Sequence, residues 1–323
     1  MTIKLKLAFL FLFISFVSKA QISVTNADEI NKIKSTTTYV AMKDPNSAIA
    51  KEYAAIFLKY WTISKIEFIE YSDIYKYLNA KSSFLTIGGY VTDVSSHTIY
   101  SDGGRSAGID YSHTHIYLEL WKCSDKFLGK KQDAKDFKEK DKTQISRLEL
   151  FTDFPTLMMP SNLYKTDYDA DGHVRNWGLG MLKNHLQNMV TYLNKGAEKR
   201  LFSEIVNANE VKKLNKETLY IPDYIFTKFN MFTGDESKKH ELKDILGDYK
   251  YKYEIISSAE LNKKILNDDS VFYYLQYIKS STDKYVSVIN SQTGEIVYSV
   301  YTPASYNIKS GDLKDLSKII AKK

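Results

Sequence analysis

The chain has 323 residues, 25 tyrosines, a single cysteine and a formal net charge of +6. Lys4, Lys6 and Lys19 lie in the first 20 residues, which hold no acid, so the remainder carries 6 − 3 = +3. A balance this small gives no concentrated basic face and argues against a nucleic-acid partner. Because Cys123 is the only cysteine, an internal disulfide is excluded. The length of the chain is sufficient for two domains.

Residues 1–20 have the three-part layout of a secretory signal peptide. Lys4 and Lys6 give a positive start, an apolar run follows over 7–17, and Ser18-Lys19-Ala20 offers small residues before a cut at Gln21. The apolar run is shorter than the about 20 residues that cross a bilayer. We therefore expect an exported protein, periplasmic or extracellular, without an integral membrane segment after cleavage; an uncut N-terminal anchor is the alternative.

Residues 21–121 are predicted to form an N-terminal mixed-sheet α/β unit. Its predicted elements are strand 38–42, helix 47–60, strand 63–69, a short helix after Ser72, strand 84–91, and strands near 97–100 and 113–121. A β-α-β-α-β order followed by a meander predicts one mixed sheet with both helices on the same face.

Residues 122–215 are predicted to connect this unit to a second one. Alternating lysines and acids over 122–142 are typical of a solvated linker. Leucines and methionines at helical spacing predict a helix over 179–193, ended by Gly196. A second helix over 198–213 would complete a helical hairpin that supports the junction.

The order of the first unit returns about 180 residues later, in residues 216–323. The predicted elements are strand 218–221, helix 239–246, strand 249–256, a helix capped by Ser258, strand 271–278, a hairpin over 285–301 and a terminal helix. The sequence thus predicts an α+β (mixed α/β) fold of two similar sheet-plus-helix units, with an internal repeat.

This order of elements is similar to that of small envelope domains such as the N-terminal domain of the TolB family. The resemblance concerns the order of strands and helices. It implies a role in periplasmic protein contacts.

Asp167, Asp169 and Asp171 alternate and are followed by Gly172, as in the first half of a calcium-binding loop. The segment resembles the loops of EF-hand and dockerin-type proteins. That resemblance implies calcium as a cofactor, held weakly because Gly178 stands where such loops place a bidentate glutamate. An acidic surface loop without metal is the alternative.

His113 and His115 lie two residues apart in a predicted strand, so both imidazoles face the same side. With Asp110 just upstream, they are a weak candidate for a transition-metal site. A secreted metal-dependent hydrolase centred on His113 and His115 is therefore one hypothesis. Two histidines on the polar face of a strand, without metal, is the other interpretation.

Nucleophile elbows, zinc-protease helices and paired cysteine motifs are all missing from the sequence, so no catalytic or cofactor-binding residue is predicted. Tyrosines alternate on one predicted strand (Tyr249, Tyr251, Tyr253) and crowd another (Tyr273, Tyr274, Tyr277). Such residues suit contact surfaces, although tyrosine is also an ordinary strand former. The leading hypothesis is an exported, non-catalytic binding or scaffolding protein of the bacterial-type cell envelope, with a protein or glycan partner.

Overall fold

The computed structural model describes residues 21–95, 101–104, 110–130, 133–165, 173–201, 204–230, 233–280 and 283–322. At residues 90–95, 110–114 and 160–161 it describes the backbone only. It contains two six-stranded mixed sheets, each flanked by helices. The predicted mixed α/β class with two sheet-plus-helix units is confirmed. Within the described ranges, every helix is too short or too polar to cross a membrane.

The first sheet is built around a parallel strand in its interior. Its strands are β1 (Ile22–Val24), β2 (Thr37–Met42), β3 (Lys65–Glu70), β4 (Ser82–Ser95), β5 (Asp110–Cys123) and β6 (Lys142–Glu149). They lie in the order β1-β6-β5-β4-β2-β3. β2 is parallel to β3 and β4, and the pairings from β4 to β1 are antiparallel.

Helices α1 to α5 and several 3-10 turns connect and cover this sheet. The α-helices are α1 (Ile30–Lys34), α2 (Ala48–Tyr60), α3 (Asp125–Leu128), α4 (Phe154–Met158) and α5 (Leu179–Lys195). The 3-10 helices are Ala27–Glu29, Tyr71–Tyr77, Ala134–Asp136, Glu139–Asp141 and Pro160–Tyr164. Ser47 caps α2, its hydroxyl accepting from the backbone N–H of Ala50 at 3.3 Å.

The second sheet has the order β11-β8-β12-β13-β14-β7. Its strands are β7 (Ile205–Val206), β8 (Leu219–Pro222), β11 (Tyr253–Ile256), β12 (Tyr273–Ser280), β13 (Asp283–Asn290) and β14 (Ile296–Thr302), with a separate ribbon of β9 (Thr227–Lys228) and β10 (Lys238–Lys239). The helices are α6 (Ala208–Val211), α7 (Leu242–Leu246), α8 (Ser258–Asn267), α9 (Ser310–Ala321) and the 3-10 helices Lys212–Asn215 and Asp223–Phe226.

The two sheets repeat one topology strand for strand. β7, β8, β11, β12, β13 and β14 take the places of β1, β2, β3, β4, β5 and β6, with the same parallel and antiparallel neighbours. Tyr39 of β2 lies opposite Phe84 of β4, and Tyr220 of β8 lies opposite Tyr274 of β12. Phe84 and Tyr274 therefore correspond.

A hydrogen bond supports this correspondence. Counting three residues onward, Ile87 of β4 corresponds to Tyr277 of β12. The backbone N–H of Ile87 donates to the hydroxyl of Tyr164 at 2.6 Å, and that of Tyr277 donates to the hydroxyl of Tyr224 at 3.3 Å. Both units thus satisfy the same strand position with a tyrosine hydroxyl.

In the first sheet, α2 connects β2 to β3 and the 3-10 helix Tyr71–Tyr77 connects β3 to β4. These two connections lie on opposite faces of the sheet, whereas the sequence predicts both helices on the same face. Phe57 of α2 packs on the Leu85 side, whereas Tyr77 of the 3-10 helix Tyr71–Tyr77 packs on Tyr39 with ring centroids 4.4 Å apart. The chain moves outward from β2 to β3 and then back across β2 to β4. Crossovers between parallel strands are right-handed in nearly all proteins, so opposite directions of travel place the two connections on opposite faces.

α5 lies between the units and ends at Gly196, whose φ of 62° is the predicted helix stop. It packs against α2 and α8. Its Asn184 and Asn188 side chains donate to the carbonyls of Ser291 and Gly294 at 2.8 and 2.9 Å in the β13–β14 turn. A single buried apolar cluster runs through both units.

The second helix of the predicted hairpin is much shorter than expected. Residues 205–206 instead form β7, because they pair with β14 and complete the edge of the second sheet. A helix can begin only afterwards, at Asn207, whose side chain accepts from the N–H of Glu210 at 3.3 Å and starts α6. The segment 122–215 also supplies β6 to the first sheet.

Candidate binding site

An open groove of about 630 Å³ lies on the face of the first sheet that carries the 3-10 helix Tyr71–Tyr77. We call it the aromatic groove. Its aromatic lining residues are Tyr71, Tyr75, Trp121, Phe137 and Tyr164. Tyr71 and Tyr75 remain 42% and 41% exposed, so two large rings are available for contact. Sites of this volume commonly accept small molecules or partner side chains.

A buried ion pair underlies the floor of the aromatic groove. The Glu119 carboxylate is fully buried and accepts from the Lys142 ammonium and the Gln144 amide, each at 2.8 Å. Burial works against the charge of Lys142, but Glu119 outweighs it, so the pKa of Lys142 is raised. Gly88 leaves room for this carboxylate, because a Cβ there would lie 2.6 Å from Glu119 Oε1. The floor of the groove is therefore held by hydrogen bonds, and the charge of Glu119 is neutralised by Lys142.

β4 extends beyond the end of its parallel partner β2, and the groove reaches the edge of β4 there. The β2–β4 pairing ends at Leu85, and the Tyr164 hydroxyl then takes the place of a strand by accepting from the N–H of Ile87 and donating to its carbonyl at 2.9 Å. In an antiparallel strand, the backbone groups of Gly89 face the same way as those of Ile87. Within the described ranges, no strand pairs with β4 there.

Two lysines at the rim of the groove have no carboxylate partner among the described residues. Lys135 and Lys138 line the groove, and neither forms an ion pair with the described residues, whereas Lys142 is paired with both Glu119 and Glu139. An occupant with a negative group is therefore favoured at this rim.

The corresponding face of the second sheet is covered by the first unit. By the strand correspondence, Thr86 and Glu119 match Gln276 and Ser287. The Gln21 side-chain amide donates to Gln276 at 2.5 Å and its carbonyl accepts from the Ser287 hydroxyl at 3.3 Å. The surface that forms an open groove in the first unit is thus an interior protein contact in the second.

His115, one of the sequence-predicted metal ligands, lies in a buried cluster that joins the two units. Its Nδ1 is 2.7 Å from the Ser280 hydroxyl of β12 and 3.3 Å from Glu149 Oε2 of β6. Ser280 and Glu149 are 2.6 Å apart, and Arg147 Nη2 lies 2.6 Å from the other carboxylate oxygen. Sequence reasoning missed Ser280 and Glu149, because neither belongs to a local motif.

The proton positions in this cluster do not activate Ser280. Burial tends to raise the pKa of Glu149, but Arg147, His115 and Ser280 outweigh it, and the pKa is lowered. An ionised Glu149 only accepts, so the Ser280 hydroxyl donates to it and in turn accepts from the Nδ1–H of His115. A nucleophilic serine needs a neighbouring base to take its proton, whereas here its proton points to a stabilised carboxylate.

The other predicted ligand positions lie mostly outside the described residues. This applies to Asp167, Asp169 and Asp171, and to the side chains of Asp110 and His113. Within the described ranges, no three His, Cys, Asp or Glu side chains converge as a metal site would require.

Packing explains the glycine at position 178, where calcium-binding loops of the EF-hand type carry a glutamate. Gly178 has a φ of 129°, and a Cβ there would lie 2.5 Å from the Asn262 side chain of α8. The residue therefore serves the close approach of α5 to α8.

The tyrosine clusters and Cys123 are mainly structural. Tyr273, Tyr274 and Tyr277 are buried in the core, whereas Tyr253 is 38% exposed. Cys123 is fully buried, and burial raises the pKa of its thiol to about 11. The groove tyrosines Tyr71 and Tyr164 come from segments more than ninety residues apart and share no sequence signal.

Comparison with family models, curated proteins and solved structures found no match to this chain.

Proposed function

We propose that this is an exported, non-catalytic binding protein of the cell envelope, and that a protein partner occupies the aromatic groove. The observation that carries the proposal is the relation between the two sheets. In the second unit this face is buried against protein, and in the first unit the same face stands open with exposed tyrosines. Exposed aromatic clusters of this kind mark contact surfaces.

The chemistry of the groove favours a protein over a glycan. The backbone groups of Gly89 lie along its side, where an extended partner segment can add main-chain hydrogen bonds. Lys135 and Lys138 favour a partner with acidic side chains. Export to the periplasm or the outside, inferred from residues 1–20, remains part of the proposal, as does weak calcium binding at Asp167, Asp169 and Asp171.

The test is a pull-down from envelope extract with the purified mature chain. We expect a stoichiometric protein partner that is retained by Tyr253→Ala and lost by Tyr75→Ala. The two tyrosines have similar exposure, 38% and 41%, but only Tyr75 lines the groove. Equal retention by both variants would contradict the proposal. Binding to envelope polysaccharide that Tyr75→Ala abolishes would replace the protein partner with a glycan.

Elemental analysis separates this proposal from the hydrolase hypothesis. A transition metal held at about one per chain, and lost in His115→Asn, would favour a metal-dependent enzyme over a binding protein. N-terminal analysis of the exported product tests the signal peptide, since cleavage would leave Gln21 as the first residue.

A further inference from the structure

We propose that the first unit holds a fatty-acid-like amphiphile in a second cavity, on the opposite face of the sheet from the aromatic groove. This cavity measures about 420 Å³ and lies between α2 and the strands β2, β4 and β5. We call it the α2 cavity. Its volume lies within the about 300–1,000 Å³ that is usual for small-molecule sites.

The α2 cavity is apolar through most of its lining. Its well-buried members are Val40, Phe57, Leu85, Leu118, Leu163 and Val174. Tyr53 and Trp177 form one wall, with ring centroids 6.0 Å apart. The α2 cavity opens to solvent, and an apolar cleft with a few polar groups is the usual form of a small-molecule site.

The second unit closes the same place with its own side chains. Ile87, which lines the α2 cavity, corresponds to Tyr277 in β12. The Tyr277 ring is buried and its hydroxyl donates to the carbonyl of Tyr306, while Tyr224 packs beside it. The topology therefore permits a filled version, in which a buried tyrosine takes the position that Ile87 holds in the first unit.

Polar groups gather at one end of the α2 cavity. They are Lys43, Asp44 and Ser47, at the carboxyl end of β2 and the beginning of α2. Ligands in α/β sheets commonly bind outside the carboxyl ends of parallel strands. The first N–H groups of the 13-residue α2 also lie at this end and favour a negative group. An apolar chain with a single carboxylate matches this arrangement.

The experiment measures dodecanoate binding to the purified chain by calorimetry. Ala50 faces the α2 cavity and is buried, so Ala50→Phe places a ring in the space that the chain would occupy. We expect the dissociation constant to rise at least tenfold. Ala55 lies on the same helix and is exposed, so Ala55→Phe is the matched control and should change the constant less than twofold.

A second variant keeps the test decisive if Ala50→Phe fails to fold. Val40→Phe enlarges a side chain that lines the α2 cavity from β2 and should also weaken binding tenfold, with circular dichroism confirming the fold. Failure of dodecanoate to bind the unmodified chain, or equal binding by Ala50→Phe and Ala55→Phe, would overturn the proposal. Dodecanol tests the polar end, since equal affinity for the alcohol and the acid would refute the carboxylate assignment.

Discussion

Ser280→Ala tests the buried cluster that joins the two units. The Ser280 side chain is 1% exposed, and its hydroxyl bridges Glu149 Oε2 at 2.6 Å and His115 Nδ1 at 2.7 Å. A hydrogen bond to a charged group contributes about 1.5–3 kcal/mol. We therefore expect Ser280→Ala to lower the free energy of unfolding by about 2 kcal/mol, measured by urea denaturation followed through tryptophan fluorescence.

Ser270→Ala is a matched control for this measurement. The Ser270 hydroxyl also donates to a carboxylate, that of Asp268 at 2.5 Å, but it lies on the surface. Its removal should change stability by less than about 0.5 kcal/mol. Equal losses in the two variants would refute the reasoning, since burial is what distinguishes the two hydrogen bonds.

The effect of Ser280→Ala should also depend on pH in one direction. The pKa of Glu149 is lowered from its ordinary 4.5 in the folded chain, and the Ser280 hydrogen bond contributes to that lowering. Its stabilisation is therefore fully present above the unfolded pKa and is lost as pH falls through the folded pKa. The stability difference should be largest near neutral pH and smaller in acid; a difference that grows in acid would contradict the proton assignment.

Three further predictions concern the rest of the chain. Gly180→Ala should cost about 1–3 kcal/mol by thermal or urea unfolding, because its Cβ would lie 2.4 Å from the Asn262 carbonyl, whereas Gly311→Ala, with open space around it, should not destabilise. The thiol of Cys123, with its pKa raised to about 11 by burial, should resist a thiol reagent at pH 8 until the chain unfolds. Calcium should raise the melting temperature, and Asp169→Ala should abolish that rise.

Strand positions and the repeated order were predictable because both depend on local patterns. Alternating or continuous apolar runs located strands of both sheets, and Gly196 located the end of α5. The face taken by the 3-10 helix Tyr71–Tyr77 was not predictable, because it follows from the position of β3 at the sheet edge. Likewise, residues 205–206 are a strand only because β14 offers them an edge.

The residues of the candidate sites could not be predicted from the sequence either, because they meet only in the folded chain. Ser280 and His115 are 165 residues apart, and only the packing of β12 against β5 brings them together. The spacing of His113 and His115 predicts a shared metal ion, whereas the described partners of His115 come from other strands. Asp167, Asp169 and Asp171 stay a prediction, because they lie outside the described residues.

The repeated unit supports the proposal that a partner covers one face of this chain. In proteins built from stacked similar units, each unit covers one face of its neighbour. The unit at the end of such a stack has that face uncovered, and it usually carries polar residues there. The second unit buries its face against Gln21 and α5, whereas among the described residues the corresponding face of the first unit is an open groove. Beside the charged side chains of Lys135 and Lys138, this face presents the exposed rings of Tyr71 and Tyr75. Because exposed aromatic surface of this kind is unfavourable in water, a partner protein is the physical explanation that we favour for the aromatic groove.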